Sequence, residues 1–232
     1  DNITYSDNPG KDSQKSQIFI ADYTYDLGEA LADLNIGMSN NETLHSYDSD
    51  WGNYSFWLDY EDHDDDHVDF DASTYDFFDS FDRDIDTRNV DVRLRSNPVD
   101  DNKIEYVIGF YQSNYEEKTN ATGYLHGGSA TALSSGYDIL TQAAYGEFAY
   151  NFKNDASLSL GFRTEARDIT YHDFNDNNAS FDIRGDFNNS YKVAYEVHPT
   201  PNLHWFAYYA QGYHPAGINQ NPYLDADEKT YD

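Results

Sequence analysis

The chain has 232 residues, with 43 Asp and Glu against 14 Lys and Arg, and its formal net charge is −29. A field of that sign repels polyanions, which excludes nucleic-acid binding by phosphate neutralisation. The sequence has no cysteine, which excludes disulfide scaffolds, Cys-ligated zinc and thiol catalysis. Aromatic residues make up 17% of the chain, whereas a soluble domain normally builds its core from aliphatic side chains.

Hydropathy alternates with a period of two along most of the chain, which predicts strands with one apolar and one polar face. Leu158, Leu160 and Phe162, for example, fall on one face of a predicted strand and charged residues fall on the other. In chain order, the predicted strands cover residues 17–25, 32–48, 86–96, 103–118, 138–152, 157–167, 181–197 and 203–213. We find no comparable helical period, no run of 18 apolar residues and no linker dividing residues 1–232.

The connections between these strands alternate between short and long. The short ones, at residues 26–31, 97–102, 153–156 and 198–202, contain mostly turn-forming residues, whereas a long one such as 119–136 is polar and loop-like. Tight turns on one rim and long loops on the other are typical of an outer-membrane β-barrel. We therefore predict an all-β fold, an antiparallel up-and-down meander of about eight long strands within a transmembrane barrel.

The aromatic residues near the short turns fit this interpretation. Phe148, Tyr150 and Phe152 precede one short turn, and Trp205 follows another. Such side chains are typical of the girdle that a transmembrane barrel places at the membrane interface.

Three segments carry a more specific pattern. Residues 86–118 contain an acidic residue before Arg-Leu, then a Ser-Asn turn and an aromatic-rich strand with a central glycine. Residues 143–168 contain Tyr-Gly-Glu, a turn and Gly-Phe-Arg, and residues 205–232 contain Tyr-Ala, Gly-Tyr, Gly-x-Asn and then Glu. The positions are Asp91, Arg93, Leu94, Ser96, Asn97 and Gly109, then Tyr145, Gly146, Glu147, Gly161, Phe162 and Arg163, then Tyr209, Ala210, Gly212, Tyr213, Gly217, Asn219 and Glu228.

In this order the segments resemble the barrel of TonB-dependent outer-membrane receptors. The resemblance implies that residues 1–232 are a middle portion of a 22-strand barrel in the outer membrane of a Gram-negative bacterium, without the plug domain, the TonB box or the C-terminal strands. It implies uptake of a nutrient chelate such as a ferric siderophore, driven through the plug by the TonB–ExbB–ExbD complex. Outer-membrane lipid and lipopolysaccharide would surround the barrel. Enzymatic motifs such as Gly-x-Ser-x-Gly or a P-loop are absent from the sequence, so we expect neither catalysis nor a cofactor.

Charged residues on the predicted polar faces form the first candidate site. These luminal residues are Arg93, Glu147, Arg163, Glu165 and Arg167. They could contact a plug or guide an anionic ferric chelate, but cross-strand ion pairing inside a wet lumen explains them as well, and we favour that interpretation.

The second candidate is the glycine- and proline-containing segment 212–219, in which Tyr213, His214 and Asn219 would contact a substrate. Turn chemistry explains its glycines and proline equally well.

The third candidate is the acidic segment 59–86, which holds 13 acidic residues and one base, Arg83. It could collect cations or bridge to lipopolysaccharide, although a solvated loop is the interpretation we favour. An EF-hand is excluded because His67 replaces the required glycine and Ser73 the closing glutamate. His63 and His67 would meet only on a helix, which so many Asp residues disfavour, so we predict no metal site.

Two other classes of protein remain as alternatives. A soluble or secreted acidic β-sheet module could bind calcium or a cell-surface partner, but its apolar face would pack against a second sheet. A complete small barrel would need a terminal aromatic residue and two periplasmic ends, whereas the chain ends at Asp232 and the strand order places both ends on the outer side.

Overall fold

The structure of the chain is a computed structural model. It describes residues 5–63, 76–97, 103–123, 131–153, 155–174, 179–219, 224 and 228–231. The elements in chain order are β1 Asp12–Asp26, β2 Ala30–Asp48, α1 Tyr54–His63, β3 Phe78–Ser96, β4 Ile104–Gly123, β5 Thr131–Asn151, β6 Ala156–Asp173, β7 Ala179–Arg184, β8 Asn188–Thr200, β9 Leu203–Gln211, β10 Gly217–Ile218 and β11 Thr230–Tyr231.

Eight strands form a single antiparallel meander in the order β1–β2–β3–β4–β5–β6–β8–β9. β7 pairs with one end of β6 and β8 pairs with the other end, while β10 and β11 form a separate two-stranded sheet. This topology confirms the predicted all-β, up-and-down meander of about eight long strands.

The strand registers align the apolar side chains into one continuous face, which we call the apolar face. Leu34 pairs with Val92, Val92 with Phe110, and Phe110 with Ala144. The face continues through Phe148, Leu160, Val193 and Tyr209. Val92, Phe110 and Leu160 are 49%, 47% and 50% exposed, so no second layer of described residues covers them.

The apolar stretch occupies only part of each strand. The strands are joined on one rim, the short-turn rim, by residues 27–29, 97–103, 152–155 and 201–202, and on the opposite, long-loop rim by 49–77, 124–130 and 174–178. Along the apolar face of β4, the side chains next to the short-turn rim are Ile104, Tyr106, Ile108 and Phe110, and those beyond them are Gln112, Asn114, Glu116 and Lys118. The half of β4 nearest the long-loop rim is therefore polar on this face as well.

The predicted loop at residues 119–136 is wrong for most of its length. β4 and β5 continue as a paired hairpin from Thr119 opposite Ser135 to Gly123 opposite Thr131. An antiparallel pair satisfies its own backbone groups, so polar strands can extend into water without an apolar face. The two rims consequently differ less in link length than the sequence predicts.

The predicted strand at residues 181–197 is divided by a β-bulge. Asp168 pairs with Arg184 and Glu165 with Asn188, so three residues, 185–187, stand opposite two on β6. The extra residue reverses the side-chain alternation, because successive side chains point to opposite faces. Gly185 fits the bulge, since a Cβ there would lie 2.3 Å from the carbonyl oxygen of Arg167.

The sequence shows no helical period comparable to that of the strands, yet residues Tyr54–His63 form the helix α1. The Oδ1 of Asn53 accepts a hydrogen bond from the Phe56 amide at 2.9 Å and caps α1. Tyr5 packs on Phe56 with their ring centroids 5.0 Å apart, and this contact helps to hold the helix in place. Within the described ranges no helix is long and apolar enough to span a membrane.

The acidic segment 59–86 is therefore not a single loop. It begins within α1, and from residue 78 onward it belongs to β3. Residues 64–75, with His67 and Ser73, lie outside the described residues.

A cluster of buried apolar residues lies near the long-loop rim, on the face opposite the apolar face. Ile169, Tyr171 and Ile218 are 1%, 2% and 5% exposed. The partly buried side chains around them are Tyr137, Ile139, Phe181 and Ile183. The bulge explains this cluster, because it turns Phe181 and Ile183 toward the face from which Ile169 projects.

Candidate functional site

The charged residues predicted to be luminal project from one face of the sheet, which we call the polar face. Arg93 pairs with Gly109, Gly109 with Tyr145, and Tyr145 with Arg163. Residues two apart on one strand share a face, which places the remaining members beside these positions. The set on this face comprises Arg93, Glu147, Arg163, Glu165 and Arg167.

Near the short-turn rim the polar face is covered by ion pairs between strands. Asp33, which is 8% exposed, accepts from the Nε of Arg95 at 2.7 Å and lies 3.4 Å from the Nε of Arg93. Farther across the strands, on this same face, Lys192 Nζ lies 3.5 Å from Glu147 Oε2. These pairs satisfy charges that the strands bring together.

A glycine in the middle of the polar face allows an aromatic ring to lie across two strands. A Cβ at Gly109 would be 2.4 Å from the Tyr145 ring, so the ring occupies the space above that glycine. The Tyr145 hydroxyl donates to Asp91 Oδ1 at 2.7 Å. Tyr145 thereby links β5 to β3 across β4.

Farther toward the long-loop rim, Glu165 joins the sheet to the segment after β9. Glu165 pairs with Arg163, whose guanidinium lies 5.7 Å from the centroid of the Tyr111 ring. The Tyr213 hydroxyl donates a hydrogen bond to Glu165. Burial, together with this bond, raises the pKa of Tyr213 to about 12, so the phenol stays protonated at neutral pH.

The segment after β9 folds back over the polar face and forms what we call the strap, residues 212–219 with 228–231. The Asn219 amide donates to the carbonyl oxygen of Lys229 at 2.7 Å, next to the pairing of β10 with β11. Gly217 lies against Tyr231, where a Cβ would be 2.3 Å from the Tyr231 hydroxyl. His214 lies near the same ring, with centroids 6.3 Å apart. The residues predicted to contact a substrate therefore belong to a folded unit.

Lys229 anchors the strap to β6. Its Nζ lies 3.7 Å from Asp173 Oδ2, and it is 5.4 Å and 5.0 Å from the ring centroids of Tyr171 and Phe181. Both charged residues are buried, at 5% for Lys229 and 6% for Asp173. Sequence reasoning missed this anchor, because nothing local to Asp173 or Lys229 indicates that they meet.

A cavity of about 340 Å³ lies between the strap and the β-bulge. Its lining includes Arg167, Arg184, Asp186, Asn188, His214 and Pro215. The structure thus brings together Arg167 and His214, which the sequence placed in separate candidate sites. The Arg167 Nε is buried and has no hydrogen-bond partner among the described residues.

Metal ligands are not grouped in the described part of the chain, where no set of three or more His, Cys, Asp or Glu side chains is arranged to hold an ion.

The fold and the two opposed faces are those of a β-barrel wall. Among solved structures, the chain is similar to the ferric yersiniabactin uptake receptor FyuA from Yersinia pestis, with a TM-score of 0.65 and 17% identical residues. The match covers 91% of this chain and 30% of that chain, so the chain spans less than a third of the receptor's length. No protein-family model matches the chain, and no curated protein sequence matches it significantly. At this identity the likeness establishes the fold alone.

Proposed function

We propose that the chain forms part of the wall of a TonB-dependent receptor in the outer membrane of a Gram-negative bacterium, which takes up a nutrient chelate such as a ferric siderophore. The observation that carries the proposal is the uncovered apolar face, continuous across eight strands and confined to the half nearest the short-turn rim. The similarity in fold to an uptake receptor supports it.

The physical argument concerns the surroundings of the apolar face. Large side chains such as Phe110 and Leu160 are about half exposed, and water around a continuous set of them is unfavourable. Lipid tails would remove this cost. Paired strands also satisfy their own backbone groups, which a hydrocarbon environment requires, although the open edges of β1 and β9 would need further strands to close a barrel.

The polar face would then line the wet interior of a 22-strand barrel. The strap would lie toward the outer mouth, the ion pairs around Asp33 would lie toward the periplasmic side, and a plug coupled to TonB–ExbB–ExbD would fill the lumen. A soluble calcium-binding module is less well supported, because its apolar face requires a second layer and none of the described residues forms one.

The orientation of the sheet can be tested with two neighbouring positions on β9. Trp205 lies on the apolar face and Phe206 on the polar face, and they are similarly exposed, at 63% and 68%. In a background carrying Trp51→Phe and Trp57→Phe, Trp205 is the one tryptophan left among these 232 residues. Brominated phosphatidylcholine in reconstituted vesicles should strongly quench the fluorescence of this tryptophan.

The matched control moves the tryptophan by one residue, with Trp205→Phe and Phe206→Trp in the same background. We expect the tryptophan at position 206 to be quenched by aqueous acrylamide and little by brominated lipid. Equal lipid quenching at both positions, or none at either in vesicles that hold the protein, would refute the membrane orientation.

The transport function needs a separate measurement. Deleting the gene in the source bacterium should abolish uptake of one chelate from a panel labelled with radioactive iron, and the intact gene should restore it. Unchanged uptake of every chelate in the panel would reject an iron chelate as cargo while leaving the membrane orientation to the fluorescence experiment.

A further inference from the structure

We propose that Arg167, Asn188 and His214 form a binding site for the oxyanion group, a carboxylate or a phosphate, of a small soluble molecule. The site is the cavity between the strap and the β-bulge. The proposal rests on the proposed receptor function, because it gives the chemistry of a cargo recognised on the polar face.

The first argument is that Arg167 differs from the other basic residues of its face. Each of the others pairs with a carboxylate, and they are Arg83, Arg93, Arg95, Arg163, Lys192 and Lys229. Arg167 has no such ion pair with a carboxylate among the described residues, and its Nε donates no hydrogen bond to any of them. In a chain with 43 acidic residues and 14 Lys and Arg, an arginine that forms no ion pair with a described carboxylate is unexpected.

The second argument is the burial of the donor. The Arg167 Nε has almost no contact with solvent, and a buried donor without a partner is unfavourable. A guanidinium presents its N–H groups in a planar fork that matches a carboxylate or a phosphate. Such a group on a ligand is therefore the partner that Arg167 lacks.

The third argument is the lining around Arg167. His214 lies on the strap side of the cavity and Asn188 on the side of the bulge. The Asn188 Nδ2 donates to the carbonyl oxygen of Asp186 at 3.1 Å, which fixes the turn that forms this wall. Asp186 is the acidic residue of the lining, and Arg184 and Arg167 outweigh its charge. The cavity volume of about 340 Å³ matches the small end of ligand pockets.

The position of the cavity determines the kind of molecule that can reach it. Arg167 projects from the polar face, opposite the side that would contact lipid. A soluble molecule can approach the polar face, whereas a lipid headgroup would have to leave the membrane surface. We therefore assign the oxyanion to a soluble ligand rather than to a phospholipid.

The test measures binding of benzoate to the full chain in detergent micelles by titration calorimetry. We expect a dissociation constant on the order of 1 mM, as for other ligands of this size. Inorganic phosphate should compete with benzoate. Benzamide, which has the same shape and no charge, should bind at least about tenfold more weakly, because it cannot form the charge-assisted pair.

The decisive variant is Arg167→Gln, with Arg88→Gln as the matched control. Arg88 lies on β3 in another part of the sheet, and its substitution makes the same change in charge. Arg167→Gln should weaken benzoate binding about tenfold or more, whereas Arg88→Gln should leave it unchanged. Arg167→Gln should also keep or raise the midpoint of thermal unfolding, because it removes an unpaired buried donor. A purely structural arginine would lower that midpoint.

Three results would overturn the proposal: no benzoate binding, equal binding of benzoate and benzamide, or unchanged binding by Arg167→Gln. Displacement of benzoate by phosphatidylglycerol added to the micelles would reject the soluble source and assign the site to a lipid headgroup. Failure of the proposed function would give a different result. If benzoate binding depends on Arg167 but brominated lipid does not quench the Trp205 fluorescence, the anion site stands and the membrane receptor is rejected.

Discussion

The strap should depend on the buried pair of Lys229 and Asp173. The pair is almost wholly enclosed, and the Lys229 ammonium lies over the neighbouring rings of Tyr171 and Phe181. Asp173→Leu removes the carboxylate and leaves the ammonium buried without its counter-charge. We expect the strap to open more often, because opening returns that charge to water.

The magnitude follows from the burial of both partners. Removing one member of a buried ion pair costs about 3–5 kcal/mol. The lower figure corresponds to roughly a 160-fold change in the opening equilibrium, at about 1.36 kcal/mol for each factor of ten. The double variant Asp173→Leu with Lys229→Met removes both charges and fills the site with apolar atoms, so it should return the equilibrium close to that of the unmodified protein.

Hydrogen exchange at the Asn219 amide measures this opening directly, since that amide donates to the main-chain oxygen of Lys229, which both substitutions preserve. The control is Asp138→Leu, because the Asp138 side chain is 51% exposed and its nearest partner, His172, is 3.9 Å away. The control should change the exchange rate by no more than about twofold. The reasoning would be refuted if Asp173→Leu and Asp138→Leu changed the exchange rate equally. It would also be refuted if the Asn219 amide exchanged as fast in the double variant as in Asp173→Leu.

Three further predictions concern other parts of the structure. Gly109→Val should displace the Tyr145 ring and lower stability by about 1–3 kcal/mol in thermal unfolding, whereas Gly161→Val, where a Cβ meets nothing closer than 3.5 Å, should cost less. Ile169→Ala should cost about 2–5 kcal/mol in the same assay, because Ile169 is 1% exposed; a loss below that range would show that the cluster does not hold the sheet. The Tyr213 contact should be fully stabilising below pH 10, its usual pKa, and lost as the pH rises toward about 12, so Tyr213→Phe should abolish that part of the pH dependence of unfolding.

The sequence alone determined the class of fold and the composition of the two faces. The alternation of Val90, Val92 and Leu94 with charged residues is sufficient to assign their faces, because successive side chains of a strand point in opposite directions whatever lies beside it. The charged residues predicted to share a face do so for the same reason. The short turns were also found, since turn-forming residues act locally.

Strand length, by contrast, was decided by pairing between strands. Residues 119–136 are polar on both faces and give no periodic signal, yet β4 and β5 supply each other with backbone partners along most of that range. The sequence did not indicate the bulge at 185–187 for a related reason. A bulge is an extra residue relative to the partner strand, here β6, so it can be recognised only once the two strands are paired. The sequence therefore could not indicate that Phe181 and Tyr191 lie on opposite faces.

The candidate site was likewise only partly present in the sequence. Arg167 and His214 were both selected, but as members of two different sets, and Asp173 and Lys229 were not selected at all. Their meeting requires the strap to fold back across β6, far along the chain from the residues it contacts. Local periodicity reports how each strand is oriented, whereas contacts between distant segments depend on the path of the chain in three dimensions, and only the tertiary structure contains that path.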